Sequence, residues 1–257
     1  MDLGRDAILF CASSVAGAVN SIAGGGTLLS FPAAIAWGLP STVANATNAV
    51  ALMPGSLASA WAYRRELKVN ARLVRLLVPP AVLGGLAGAV LLHATPVRVF
   101  DAVVPWLVLI ATLVILVERP RRSDGASPPP TPHDIRRREI TAVGCQLAVG
   151  VYGGFFGAAM GIIMLASLSL TGATDMHHRN ALKNLLAVAI NGVASIYFVA
   201  SSLISPRAAV IMMGGAVLGG YWGGRLGRRV PVRAVRSVVV VIGVGLSALL
   251  AYRALVM

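Results

Sequence analysis

Six stretches of this chain run without a single Lys, Arg, Asp or Glu for about the length a helix needs to cross a bilayer core: Val43 to Ala62, Leu76 to Leu92, Ala102 to Val117, Leu185 to Ala200, Ala208 to Gly224 and Ser237 to Tyr252. Water offers such runs no refuge except burial, and this chain has too little polar sequence to bury six of them. It is 57% hydrophobic and 12% charged across 257 residues, which excludes a soluble globular enzyme. In lipid every backbone N–H and C=O must be paired within the chain itself, so each run is predicted to be a helix. The fold class is therefore all-α and polytopic.

Two more apolar regions, Ala7 to Trp37 and Ile140 to Thr171, are each cut by glycines: Gly24, Gly25 and Gly26 in one, Gly153, Gly154 and Gly157 in the other. Each half is short for a full crossing. Irregular backbone at membrane depth is tolerated only inside protein or beside a hydrated cavity, so each region is predicted to be a re-entrant helical hairpin with its break at such a place.

The chain also repeats itself. At an offset of 135 residues, Ala81-Val-Leu-Gly-Gly85 matches Ala216-Val-Leu-Gly-Gly220, Pro96-Val-Arg98 matches Pro231-Val-Arg233, and Asn45-Ala46 matches Asn180-Ala181. The order of segments agrees with the matches: a glycine-broken hairpin and three transmembrane helices, twice. The expected domains are a first membrane repeat over 1–118, a basic Pro-rich linker over 119–139 and a second membrane repeat over 140–257.

Charge orients the two halves. The chain carries a net charge of +13, which alone would suggest a nucleic-acid partner, yet most of the 22 Lys and Arg fall in three clusters between apolar runs. These are Arg64 to Arg75, the linker arginines, and Arg225 to Arg236; the loops His93 to Arg98 and Ser201 to Arg207 carry one arginine each. The positive-inside rule places the clusters in the cytoplasm and those two loops outside, with no nucleic acid involved. Equivalent loops of the two halves then face opposite sides. The repeats are expected to be inverted, with both termini external.

Polar residues within the apolar runs mark a candidate site. Asn45 and Asn48 share a helix face, and Asn180, Lys183, Asn184, Asn191 and Ser195 form a similar stripe in the second half. An ionisable residue within a membrane span is by default a functional candidate, and buried amides need partners. The helix starting near Thr27 would aim its positive dipole end at the midplane, which suits a small anion, with Gly157 in the corresponding position of the other hairpin. Helix-to-helix hydrogen bonding for the Asn residues and snorkelling for Lys183 are the plainer accounts.

Asn20-Ser-Ile-Ala-Gly-Gly-Gly-Thr-Leu-Leu29 with Phe31-Pro32, Ala44-Asn-Ala-Thr-Asn48, Met53-Pro-Gly-Ser56 and Tyr63-Arg-Arg65 resemble the first half of the sulfite exporter TauE/SafE family, and Asn180-Ala-Leu-Lys-Asn184 with Asn191-Gly192 and Ala216 to Gly220 resemble its second half. What the resemblance implies is a bacterial inner-membrane permease for sulfite, sulfonates or related small organic anions. It implies binding roles for Gly24, Gly25, Gly26, Asn45, Thr47, Asn48, Asn180, Lys183 and Asn184. One departure is Phe155-Phe-Gly-Ala-Ala-Met160, where a symmetric site would repeat the triple glycine.

The substrate-binding set expected is thus Gly24, Gly25, Gly26, Thr27, Asn45, Thr47, Asn48, Gly157, Asn180, Lys183, Asn184 and Asn191. No metal site, cofactor or catalytic residue is expected, and the chain is not read as an enzyme. The alternative is a transition-metal permease using Met160, Met164, Met212, Met213, His177 and His178. Cys11 and Cys145, nearly one repeat apart, are read as small apolar residues rather than a redox pair. The expected partners are a small anion and the lipid bilayer, with homo-oligomerisation left open.

Overall fold

The computed structural model describes residues 3–22, 25–62, 71–117, 132–168 and 176–226, with single positions between 237 and 247. Among the described residues the chain is helical with no strand. The helices are α1 (Leu3–Ile22), α2 (Thr27–Trp37), α3 (Ser41–Ala62), α4 (Ala71–Ala94), α5 (Val97–Val117), α6 (Pro132–Phe155), α7 (Met160–Leu168), α8 (Met176–Ala200) and α9 (Pro206–Leu226). Five of the six uncharged runs lie on α3, α4, α5, α8 and α9. The sixth, Ser237 to Tyr252, lies largely outside the described residues. α6 begins at Pro132, so the last eight positions of the expected linker, 132–139, are already helical.

Two helical stretches, Ala71–Ala94 and Ala181–Ala200, are by length and hydropathy able to cross a membrane. The outer surface agrees with a lipid solvent. Trp106, Ile110 and Leu116 on α5, Val210 and Trp222 on α9, and Ile196 on α8 are each more than half exposed. So much exposed apolar area around a helical bundle is a liability in water and the expected finish against acyl chains.

Both glycine-broken regions are broken helices. The α1–α2 break contains Gly25 at φ +89°, and the α6–α7 break contains Gly157 at φ +73°. A left-handed residue ends the helical hydrogen-bond ladder, and glycine takes that conformation without a Cβ penalty. Beside Gly157, Ala159 also sits at φ +57°. The second break is tied down by Tyr152, whose hydroxyl donates to the Ala158 carbonyl at 2.6 Å. α2 stops by the same device at Gly38, φ +118°, whose N–H reaches back to the carbonyls of Ala34 and Ile35.

Helix packing follows the repeat. The most extensive interfaces are α1 with α9 and α4 with α6, followed by α3 with α8, α4 with α8, and α3 with α9. Exchanging the halves, α1 for α6, α2 for α7, α3 for α8 and α4 for α9, maps this set of pairs onto itself. Glycines make the two long interfaces possible. A methyl on Gly84 would lie 2.5 Å from the Leu147 carbonyl oxygen of α6, and one on the equivalent Gly219 would strike the Ser14 carbonyl of α1. The ion pairs repeat as well. Arg207 of α9 bonds Asp6 of α1, and Arg72 of α4 bonds Glu139 of α6 at 2.8 Å. Arg72 precedes Arg207 by the repeat offset, and Asp6 and Glu139 stand equally far ahead of Thr27 and Met160, the residues that open α2 and α7.

Candidate functional site

The two breaks face one cavity. It encloses about 70 Å³, room for several waters or one small ion. Its wall includes Gly25, Thr27, Asn45 and Asn48 from the first half and Gly157, Lys183, Asn184 and Asn191 from the second. Eight of the residues singled out from the sequence therefore meet at one place. Thr27 and Met160, the opening residues of α2 and α7, both line it, so two helix N-termini present their partial positive ends to the same space.

Each side chain is held by an identifiable partner. Asn48 is almost fully buried, and its Oδ1 accepts a hydrogen bond from the Ser30 hydroxyl on α2. With that oxygen engaged, the Nδ2 hydrogens are what Asn48 presents to the cavity. Asn45, one turn earlier, donates Nδ2 to the Phe155 carbonyl at 2.8 Å. Phe155 is the last residue of α6, where carbonyls lack a helical partner, so Asn45 caps the broken helix of the opposite half. The Lys183 stem lies along α7: a methyl on Gly161 would be 3.5 Å from Lys183 Cδ. On the repeat offset Lys183 is the counterpart of Asn48, so one pseudo-equivalent position carries an amide and the other a cation.

Other expected residues stand elsewhere. Thr47 is fully buried but turned away from the cavity, and its hydroxyl oxygen accepts the Ser205 N–H just before α9 at 3.0 Å. Gly26 sits behind the wall, where a Cβ would strike the Ala16 carbonyl. Gly24 and the side chain of Asn180 lie outside the described residues. Cys11 is exposed and Cys145 half-buried, and neither lines the cavity.

The wall also contains residues absent from the expected set, among them Gly17, Asn20, Ser21 and Ser56. Asn20 carried a readable signal, being an amide inside an apolar helix one turn before a break. Gly17, Gly161 and Ala216 carried none, because a small residue on a helix becomes a site wall only through what packs opposite.

The electrostatics favour negative charge. Among the described lining residues Lys183 is the single formal charge and none is a carboxylate. Asn20, Asn48 and Asn184 add amide donors. For the metal alternative, no group of three His, Cys, Asp or Glu able to hold an ion occurs among the described residues. Met160 is the one thioether in the described wall; Met164 is buried in the cluster around Leu182 and Leu186. The side chain of His177 lies outside the described residues.

Known proteins are similar to this chain over nearly its whole length. The probable membrane transporter protein of Haemophilus influenzae is 29% identical over 265 residues, covering 98% of this chain and 97% of that protein. The probable membrane transporter protein YfcA of Escherichia coli K12 is 29% identical, with 95% and 89% covered. The probable membrane transporter protein ORF9 of a Sinorhizobium species is 26% identical, with 94% and 90% covered. No solved structure matches the chain. The family model described as sulfite exporter TauE/SafE matches residues 9–250, nearly the whole chain and both glycine-broken hairpins, and the chain therefore belongs to that family.

Proposed function

We propose that this protein is a secondary transporter that carries a small oxyanion, sulfite or an organic sulfonate, across a bacterial inner membrane. The observation that carries this reading is the cavity itself: a space between two broken helices, lined by one lysine and several amides without a carboxylate among the described residues. Taking an anion out of water is costly, and only charge-assisted hydrogen bonds and oriented dipoles offset the loss. Lys183, Asn48 and the starts of α2 and α7 supply both. The two halves are inverted repeats with their breaks at mid-membrane, the basic clusters lie in the cytoplasm, and alternating access moves the anion past the breaks. The paired contacts exchanged between the halves support that arrangement.

The test is flux of labelled sulfite and sulfonates into membrane vesicles. Lys183→Met keeps the aliphatic stem beside Gly161 and removes the charge; Asn48→Ala removes the amide. Each loses a hydrogen bond to a charged ligand, about 1.5–3 kcal/mol, so transport at limiting substrate falls about 10- to 100-fold with membrane yield unchanged. Wild-type flux in both variants refutes the site. Inhibition of uptake by nickel, cobalt or copper salts, with sulfonates inert, replaces it with the metal-ion reading.

A further inference from the structure

Helix seams of two kinds surround the cavity, and they differ under exchange of the halves. The α1–α9 and α4–α6 seams are tight in both copies. A methyl would meet backbone at Gly84 and Gly88 on α4, and likewise at their equivalents Gly219 and Gly223 on α9. Each of these seams also carries one of the two equivalent ion pairs. The first hairpin and α9 thus form one body, and the second hairpin and α4 form another.

The other two seams, α4–α8 and α3–α9, are unequal. A methyl on Gly85 of α4 would lie 3.0 Å from both Cα and O of Ile190 on α8. Gly220, its counterpart on α9, would among the described residues meet only the Gly17 carbonyl, at 3.9 Å. Gly55, which stands on α3 where Ile190 stands on α8, is not within 4 Å of it. A Cβ added at Gly85 is thus in tight contact with the α8 backbone, whereas one added at Gly55 would among the described residues meet only the Ala216 carbonyl oxygen of α9, at 4.0 Å. The cavity follows the difference. Gly55, Ala216 and Gly220 line it, while Ala81, Gly85 and Ile190 are buried outside it.

We infer that these two seams are the alternating gates of the transport cycle. α9 with the first hairpin closes on α3 at Gly55 and Gly220 as α4 with the second hairpin parts from α8 at Gly85 and Ile190. The inference rests on the transport reading above and goes beyond it by naming the moving bodies and their contact points. α3 and α9 run in the same direction, since Thr47 bonds Ser205 and Gly55 lies beside Ala216. Their C-terminal ends lead to Arg64 and Arg225, so in the proposed orientation the loose seam faces the cytoplasm and the structure is the inward-facing state.

Cysteine accessibility tests this in the full-length chain carrying Cys11→Ser and Cys145→Ser. Ser56→Cys places a thiol in the cavity wall at the loose seam, and a membrane-impermeant maleimide is applied to the cytoplasmic face of vesicles. Gly220→Ala fits the present state and obstructs closure, so labelling speeds up while flux falls about tenfold. Gly85→Ala wedges α4 from α8 and favours the opposite state, so labelling slows about tenfold. Shifts in the same direction, or no shift in either variant, overturn the gates. If Gly85→Ala does not reach the membrane, Gly220→Ala decides alone: unchanged labelling and unchanged flux overturn the proposal. Labelling does not depend on the substrate, so the two readings fail separately. Opposed shifts without sulfite or sulfonate flux in the parent support the gates and refute the substrate. Parent flux with unmoved labelling refutes the gates and leaves the transport reading standing.

Discussion

At the scale of single residues, three polar side chains of similar sequence signature have three different tasks. Asn45, Thr47 and Asn48 occupy one turn of α3, yet Asn45 caps the end of α6, Thr47 holds the start of α9, and Asn48 is oriented by Ser30 toward the cavity. Asn45→Ala orphans a half-buried helix-end carbonyl, a loss of about 1 kcal/mol or more. It is expected to lower the thermal unfolding midpoint of the detergent-solubilised protein. Lys183→Met leaves the Asn45 cap on α6 intact and is expected to unfold at a higher temperature than Asn45→Ala; an equal loss in both refutes the capping role. The Asn stripe was legible in the sequence because amides in apolar helices stand out. Which amide caps and which faces the cavity was not, because each partner lies on a helix far away in the chain.

At the scale of helices, glycine has two separable functions, turning the chain at the breaks and thinning the faces that meet. Gly25 and Gly157 do the first, at positive φ. Gly84, Gly88, Gly219 and Gly223 do the second, each opposite another helix's backbone. Sequence spacing does not separate these from an idle glycine, but contacts do. Gly144 lies on the same helix as the tight partners of Gly84, and a methyl there would among the described residues meet nothing within 4 Å. Gly144→Ala is expected to stabilise by about 0.5–1 kcal/mol through helix propensity. Gly219→Val drives a side chain into the Ser14 carbonyl and is expected to cost about 3 kcal/mol or more. Thermal unfolding of the two variants checks the contrast, and similar midpoints refute it. The irregular second break shows the same limit of reading. Phe155 to Met160 lacks a triple glycine, yet Gly157 turns the chain there as Gly25 does in the first half.

At the scale of the molecule, the two halves are stitched together by exchange. The first hairpin packs most extensively on α9 and the second on α4, and each of those interfaces carries an ion pair. Exposed ion pairs contribute little energy, about 0–1 kcal/mol, so the close glycine packing carries most of each interface. The inverted arrangement proposed above has a direct test. Leu3 and Arg136 are exposed and occupy equivalent positions ahead of Asp6 and Glu139. Leu3→Cys and Arg136→Cys, each in the chain lacking Cys11 and Cys145, are expected to react with impermeant maleimide from opposite faces of the membrane. Reaction from one face removes the inversion and with it the assignment of an inward-facing state.

The sequence by itself determined that the chain is helical, that its helices carry apolar surfaces suited to lipid, that two of its apolar regions break at glycines, and that the pattern occurs twice. All of these are local consequences of hydropathy, backbone pairing and the conformational freedom of glycine, so they are written in consecutive residues. Tertiary structure decided that the two breaks share one cavity, that Asn45 and Thr47 serve as caps, and that one glycine seam is tight where its twin is loose. Those facts depend on how far apart two backbones lie in space, a distance that no single segment encodes.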